Sequence, residues 1–309
     1  MAEARIALAT TAAARPLDED FAPLAAALRD RGMAAEAVDW DDGSVDWSGF
    51  QAVLLRATWD YTERLEAFLA WCARVGALTR LFNPPALVRW NTDKHYLADL
   101  AAAGVDTVES AFIEPGQPPD RFPGHAEFVV KPAVGAGCRD TRRYLHTQRE
   151  AAVNHVRRLL ERGRAVLVQP YLQDVDCAGE TALIHFDGTF SHAIRKGPLL
   201  HRDEAATSAL FAPESIRARQ PSEAERALAA RALAAIPGGA PLYARVDLLP
   251  SPDGPRLLEL ELTEPSLFFA HAPGSAARMA QALEQRLRRA EPSDGVWSTS
   301  SEPPRYNRP

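Results

Sequence analysis

The stretch Tyr243-Ala-Arg-Val-Asp-Leu248, followed after Asp253-Gly254 by Leu258-Glu-Leu-Glu-Leu-Thr-Glu-Pro265, sets two alternating segments around a turn signal and reads as a β-hairpin. Residues two apart on a strand share a face, so Arg245 stands with Asp247 on one strand and Glu259 with Glu261 on the other. Three carboxylates converging on one side of an antiparallel pair repel one another unless cations lie between them. Magnesium, which prefers hard oxygen ligands, is the economical cation. The alternative is a solvated face on which Arg245 simply pairs with an acid.

Outward from the hairpin, Ser222 with Glu225 forms a possible capping box for an alanine-rich helix running to Ile236, and Gly274 to Ala290 has helical spacing. Ala182–Phe186 and Thr189–Arg195 flank Asp187-Gly188 as another hairpin. Gln148–Arg162 is helical by period, Ala165–Gln169 and Glu127–Pro132 are strands, and Asn91-Thr92-Asp93 caps a helix over Lys94–Ala103 that ends at Gly104. The opening is strand, helix, strand: Ile6–Thr10, Asp18–Arg31, Ala34–Trp40. A further strand at Ala52–Leu55 leads through Arg56-Ala-Thr-Trp-Asp-Tyr61 into a helix over Glu63–Ala77 that stops near Gly76. These readings predict an α/β chain with a small α/β domain over residues 1–90, a central domain over 91–172, a C-terminal domain over 173–290, and a disordered Ser/Pro-rich tail over 291–309.

The sequence is 309 residues long with a formal charge of −6, which argues against a sequence-independent nucleic-acid binder. Cys72, Cys138 and Cys177 have neither disulfide-framework nor zinc spacing. The first residues make a poor signal peptide and no apolar run is long enough for a membrane span, so a cytoplasmic protein without membrane partners is expected.

Nucleotide chemistry needs cations at the phosphates, backbone donors in a closing loop, and carboxylates for magnesium. The Walker and dinucleotide glycine motifs are absent. In their place stand Lys94, then Lys131-Pro132 at a strand end, then the loop Ala133-Val-Gly-Ala-Gly-Cys-Arg-Asp-Thr141 with Gly135 and Gly137. Singly each is weak: a lone lysine is most often a solvated charge, and a Gly-x-Gly loop is as often a plain turn. Order and spacing change the odds.

Lys94, Lys131 with its glycine loop, Gln169-Pro-Tyr-Leu172, Arg245-x-Asp247 and Glu259-x-Glu261 follow the motif order of the ATP-grasp ligases, over roughly Ala4 to Ala290. This resemblance implies an ATP-grasp fold in which ATP lies between the central lid and the C-terminal domain. Lys94, Lys131, Gly135 and Gly137 then resemble the phosphate-contacting set, and Gln169, Tyr171 and Leu172 the adenine border. Glu180 resembles a residue near the ribose or substrate. Lys196 resembles a basic position of the pocket, Arg245 the group that neutralises transferred phosphate, and Asp247, Glu259 and Glu261 the magnesium ligands. Many members end the last motif with Glu-x-Asn, whereas this chain has Glu259-x-Glu261 with Glu264 close behind, so the division of acids between metals stays open.

Leu258–Phe269 together with Arg56–Tyr61 resembles the branch that contains the O-ureido-D-serine cyclo-ligase of cycloserine biosynthesis. That implies ATP and Mg2+ as cofactors, small carboxylate and amine substrates, an acyl-phosphate intermediate, and a homodimer as an open possibility. Arg56, Trp59, Asp60 and Tyr61 are the substrate-side candidates, since Arg can clamp a carboxylate and Asp an ammonium; a structural strand-end cluster is the alternative. The rival readings are an intermolecular amino-acid ligase, and a small-molecule kinase or nucleotide-binding protein on the same scaffold. A dinucleotide-dependent oxidoreductase has only the βαβ opening in its favour.

Overall fold

The structure is a computed structural model that describes residues 4–200 and 215–289; the tail expected over 291–309 lies outside the described residues. The chain runs β1 (Ala4–Thr10), α1 (Phe21–Arg29), β2 (Met33–Asp39), β3 (Ala52–Ala57), α2 (Leu65–Leu78), β4 (Arg80–Phe82), α3 (Pro85–Asn91), α4 (Tyr96–Ala102), β5 (Ala111–Ile113), β6 (Glu127–Pro132) and β7 (Arg142–Leu145). It continues with α5 (Arg149–Glu161), β8 (Val166–Pro170), α6 (Val175–Ala178), β9 (Glu180–Phe186), β10 (Thr189–Lys196), β11 (Ile216–Arg219), α7 (Glu223–Ala234), β12 (Tyr243–Leu249), β13 (Arg256–Glu261) and α8 (Ser275–Arg288).

Three sheets result. The first is parallel, in order β2-β1-β3-β4, and it reverses direction at β1/β3. Its carboxyl edge there carries the Trp59–Glu63 turn, the place where open parallel sheets present ligands. The second is antiparallel, β5-β8-β6-β7, with α5 packed on it. The third is antiparallel, β11-β10-β9-β12-β13.

Core packing joins the first and third sheets: Ile6, Leu8, Leu24 and Leu28 share one apolar cluster with Ile184, Tyr243, Met279 and Leu283. The opposite face of the first sheet is aromatic, with Trp40, Trp47, Phe68 and Trp71 in edge and stacked contacts. The second sheet closes its own core from Phe128, Tyr144, Val156, Leu159 and Val168.

Several local readings change. Lys94 is not on a helix: α4 starts at Tyr96 with His95 at its N-cap, and Lys94 sits in the turn between α3 and α4. Thr92 ends α3 instead of capping α4, while Asp93 accepts from the His95 amide at 3.1 Å as a local turn. The reason is α3 itself, a helix started by Pro85 and packed through Leu87 and Val88. α2 runs past Gly76 to Leu78 because Phe68, Leu69, Trp71, Cys72 and Val75 bury one face. The capping box of α7 forms as expected, Glu225 N reaching Ser222 Oγ at 3.2 Å and Ser222 N reaching Glu225 Oε2 at 2.6 Å.

The outer edge of β13 is completed by side chains. Asn91 Nδ2 donates to Leu260 O at 2.7 Å, its Oδ1 accepts from Leu262 N at 2.8 Å, and Tyr96 Oη accepts from Leu260 N at 2.9 Å. Asn83 does the same for the ends of β12 and β13, bonding Tyr243 O at 3.0 Å, Leu262 O at 2.7 Å and Leu242 N at 2.7 Å. These contacts satisfy backbone groups that burial would otherwise orphan, and they fix the α3–α4 turn against β13.

Candidate active site

A cleft of about 190 Å³ is lined from all three sheets. β12 and β13 supply its acidic floor. Their register places Arg245 opposite Glu261 and Asp247 opposite Glu259, so alternation sends all four side chains to one face, as the sequence pattern requires. That face is largely withdrawn from solvent: Arg245 is 5 % and Asp247 2 % exposed, while the Glu259 and Glu261 side chains keep 23 % and 28 %.

Charge is balanced pair by pair. Arg245 Nε and Nη2 reach the two oxygens of Asp247 at 2.9 Å each, and Nη2 also pairs with Glu261. Lys196, from the end of β10, bridges Asp247 Oδ2 at 2.8 Å and Glu180 Oε1 at 2.7 Å. Lys94 reaches Glu259 Oε1 at 2.9 Å and the Gly135 carbonyl at 2.8 Å, tying β13 to the glycine loop. Gly179, just before Glu180, has φ +72°, and a Cβ there would stand 2.4 Å from Lys196 O, so only glycine lets this approach happen.

Protonation follows the pairing. Burial works against the charge of Asp247, but Arg245 and Lys196 outweigh it and hold the carboxyl well below its usual range. Glu259 is also lowered, Lys94 and Lys131 outweighing burial. Burial pushes Glu180 up to about 8 against the pull of Lys196, and Glu261 up to about 7 with Asp247 and Glu259 opposing its charge. Glu264 rises to about 8 through burial and the neighbouring Glu261.

Lys131 differs from the other cations. It ends β6, is 8 % exposed, lines the cleft, and forms no ion pair among the described residues. Burial lowers the pKa of its ammonium; Glu259 opposes the shift and Lys94 adds to it. Beside it the loop 133–141 holds Gly137, Cys138 and Asp140 in left-handed conformation at φ 63°, 61° and 56°. Arg164 pins this loop through Asp140 at 2.7 Å and the Val134 carbonyl at 2.9 Å, and Arg139 pairs with Glu63 across the cleft mouth.

At the other end Gln169, Tyr171 and Leu172 line the cleft where β8 leaves the second sheet, with Val175, Leu249 and Leu258 as apolar neighbours. Gln169 Nε2 donates to Ser110 Oγ at 3.0 Å. The Arg143 guanidinium lies 3.4 Å over the Tyr171 ring. It is held by Glu127 at 2.6 Å and Asp176 at 3.2 Å, and the Tyr171 hydroxyl donates to the same Asp176.

Of the substrate-side candidates, Trp59 and Tyr61 line the cleft, whereas Arg56 and Asp60 do not. Arg56 is 2 % exposed and directed at Asp20 Oδ2 at 3.3 Å, Asp18 Oδ1 at 3.7 Å and the Pro265 carbonyl at 3.1 Å. Asp60 accepts from Trp40 Nε1 at 2.9 Å and pairs with Arg64. Their charges are committed to joining segments of the fold. Asn91, Arg143 and Ser266 are cleft or cleft-supporting residues that the sequence did not single out for the site, and Glu264, weighed there only among the metal acids, also lines the cleft. Only Glu264 carried a signal, an acid directly after two alternating acids.

Asp247, Glu259 and Glu261 suit magnesium by chemistry: oxygen donors on one face, beside buried lysines that suit phosphate. Among the described residues no three such side chains converge into a metal cage, because each carboxylate is turned onto a lysine or Arg245. Magnesium commonly takes one or two carboxylates plus waters and phosphate oxygens, so a protein cage is not required.

The family described as the N-terminal domain of D-cycloserine synthetase DcsG matches residues 6–83. The cycloserine biosynthesis protein DcsG of Streptomyces lavendulae is 45% identical over 299 residues, covering 92% of this chain and 99% of that protein. The crystal structure of D-cycloserine synthetase DcsG superposes with a TM-score of 0.86 at 44% identity, covering 92% of this chain and 100% of that one. D-alanine–D-alanine ligase from Bacillus anthracis shares the fold, at TM-score 0.65 and 14% identity over 92% of this chain and 97% of that one. With 45% identity across nearly the whole length of its cycloserine-biosynthetic relative, this chain belongs to the ATP-grasp ligases, enzymes that form C–N bonds.

Proposed function

We propose that this ligase uses ATP and magnesium to activate the carboxylate of an amino-acid derivative and closes it onto a nitrogen of the same molecule, with O-ureido-D-serine as the expected substrate. The observation that carries the phosphate assignment is Lys131: a buried ammonium without an ion-pair partner among the described residues, at the foot of a glycine loop, favours an anionic occupant. The substrate is inferred from the 45% identity to DcsG over 92% of the chain.

In this reading Lys94 and Lys131 hold the phosphates, backbone amides of the 135–141 loop close over them, and Gln169, Tyr171 and Leu172 border the base. Magnesium at Asp247, Glu259 and Glu261 would neutralise phosphate charge and align the transferred group. Arg245, fixed by Asp247, presents its guanidinium to the oxyanion that develops as nitrogen attacks the activated carbonyl. Lys196, held by Glu180, braces Asp247 along the cleft wall. The carboxylate oxygen takes the γ-phosphoryl group of ATP with release of ADP; nitrogen then displaces phosphate, its proton leaving to solvent or a nearby base. Catalysis rests on positioning and electrostatics, with no covalent bond to the protein. We further assign the parallel sheet, the β5-β8-β6-β7 sheet and the five-stranded sheet to an N-terminal domain, a lid and a C-terminal domain.

The test is ADP and phosphate release with magnesium and ATP over a panel of small amino acids including O-ureido-D-serine, each with and without a second amine. Release with that compound alone, with a product of cyclised mass, supports the reading. Release that requires a second amine would replace it with intermolecular ligation, and a stable phosphorylated product with kinase activity.

A further inference from the structure

Glu264 lies in the turn that follows β13, is 7 % exposed and lines the cleft. The cations around it are engaged elsewhere: Arg245 with Asp247, Glu261 and the Ser266 carbonyl, Lys94 with Glu259 and the Gly135 carbonyl. Glu264 therefore forms no ion pair among the described residues. The Tyr61 phenol lies beside its carboxyl and interacts with it electrostatically. Trp59 Nε1 donates to the Glu264 carbonyl at 3.3 Å, so both cleft-lining aromatics of the first sheet pack against this one residue.

A buried carboxyl that lacks a cation, beside aromatic rings and open to a cleft, suits an organic ammonium. The ammonium donates a charge-assisted hydrogen bond to the carboxylate and makes favourable contact with the aromatic rings. A second magnesium fits less well, because it retains several waters and near-ideal octahedral geometry, which a phenol and an indole do not serve. Resting on the ligase reading above, we propose that Glu264, backed by Tyr61 and Trp59, receives the α-ammonium group of the amino-acid substrate. Glu264 lies close to Glu261, beside which the carboxylate would be activated, a placement that suits an ammonium and a carboxylate on one α-carbon. The bound α-amino group is then an anchor and not the nucleophile; the attacking nitrogen comes from the side chain.

The experiment compares an α-amino-acid substrate with its des-amino analogue, by ADP release at saturating ATP and magnesium, in the wild type and in Glu264→Gln. The wild type should favour the amino compound by at least about tenfold in kcat/KM, as sites built around a polar group do. Glu264→Gln should remove that preference by raising KM for the amino compound, with the KM for ATP and the magnesium dependence unchanged. A changed magnesium requirement with the preference intact would overturn the proposal in favour of a metal role. Should Glu264→Gln fail to fold, equal use of the two compounds by the wild type overturns the proposal, and Tyr61→Phe should halve or further reduce the preference. No ADP release by the wild type with any amino acid would remove the ligase reading and this assignment together.

Discussion

Lys94 Nζ lies 2.9 Å from Glu259 Oε1 and 2.8 Å from the Gly135 carbonyl, so one ammonium joins the acidic strand to the glycine loop. Glu259→Gln keeps the shape and removes the charge. Magnesium-dependent ADP release should fall by at least about 100-fold, the scale of losing a preorganised electrostatic group. The circular dichroism spectrum and melting temperature should stay close to wild type. Unchanged turnover would remove Glu259 from the metal site.

Arg143 acts through Tyr171. Its plane lies 3.4 Å over the ring, and Glu127 and Asp176 fix that plane. Arg143→Lys keeps the charge and loses the flat fork, so the ring loses its backing. KM for ATP should rise by about fivefold to tenfold with kcat changed far less, a uniform-binding effect. Titration with a fluorescent adenine nucleotide checks this directly; identical affinity would make the stack structural only.

Asp20 gathers the segment after β13. Its carboxylate accepts from the amides of Leu267 at 2.5 Å, Phe268 at 3.2 Å and Phe269 at 2.9 Å, and pairs with Arg56. Asp20→Ala leaves three amides without their acceptor and the Arg56 guanidinium with only Asp18 and the Pro265 carbonyl, a loss expected to cost about 3 to 5 kcal/mol. Urea unfolding should show a lower midpoint with an unchanged m-value. A midpoint equal to wild type would mean that water replaces the carboxylate freely.

Acid should unfold the protein through histidines buried in neutral form. His155 and His185 are 4 % and 6 % exposed, and burial lowers both to about 4 from an ordinary value of 6.5. The unfolded chain binds protons first as pH falls, so this stability is complete above pH 6.5 and drains away between there and about pH 4. Each group contributes on the order of 3 kcal/mol across that window. Thermal melts from pH 7.5 to 4.5 should fall steeply below 6.5, and His185→Gln should flatten the slope. A flat profile would contradict the buried neutral state.

The acidic hairpin was legible because strand alternation is a local rule that sets Arg245 with Asp247 and Glu259 with Glu261; the register of β12 on β13 then joins both pairs on one face. The short elements were not. β5 and β7 have three and four residues, and α3 begins on the second residue of a proline pair that reads as a break. Such pieces form because neighbouring strands and helices bury them, not from any periodicity of their own. Arg56 and Asp60 illustrate the limit for side chains. Both have the right chemistry for a substrate, yet Arg56 is consumed by Asp18, Asp20 and Pro265 and Asp60 by Trp40 and Arg64.

By itself the sequence determined the α/β class, the order of the basic and acidic motifs, and which carboxylates face the same way, since these follow from spacing along a single chain. Tertiary structure alone decided that Arg245 and Asp247 are buried on the shared face, that Lys94 meets Glu259 through a turn fixed by Asn91 and Tyr96, and that Glu264 is left without a cation among the described residues. Burial and ion pairing depend on what distant segments bring alongside, and no local pattern encodes the distance between a lysine on one segment and a carboxylate on a strand far along the chain.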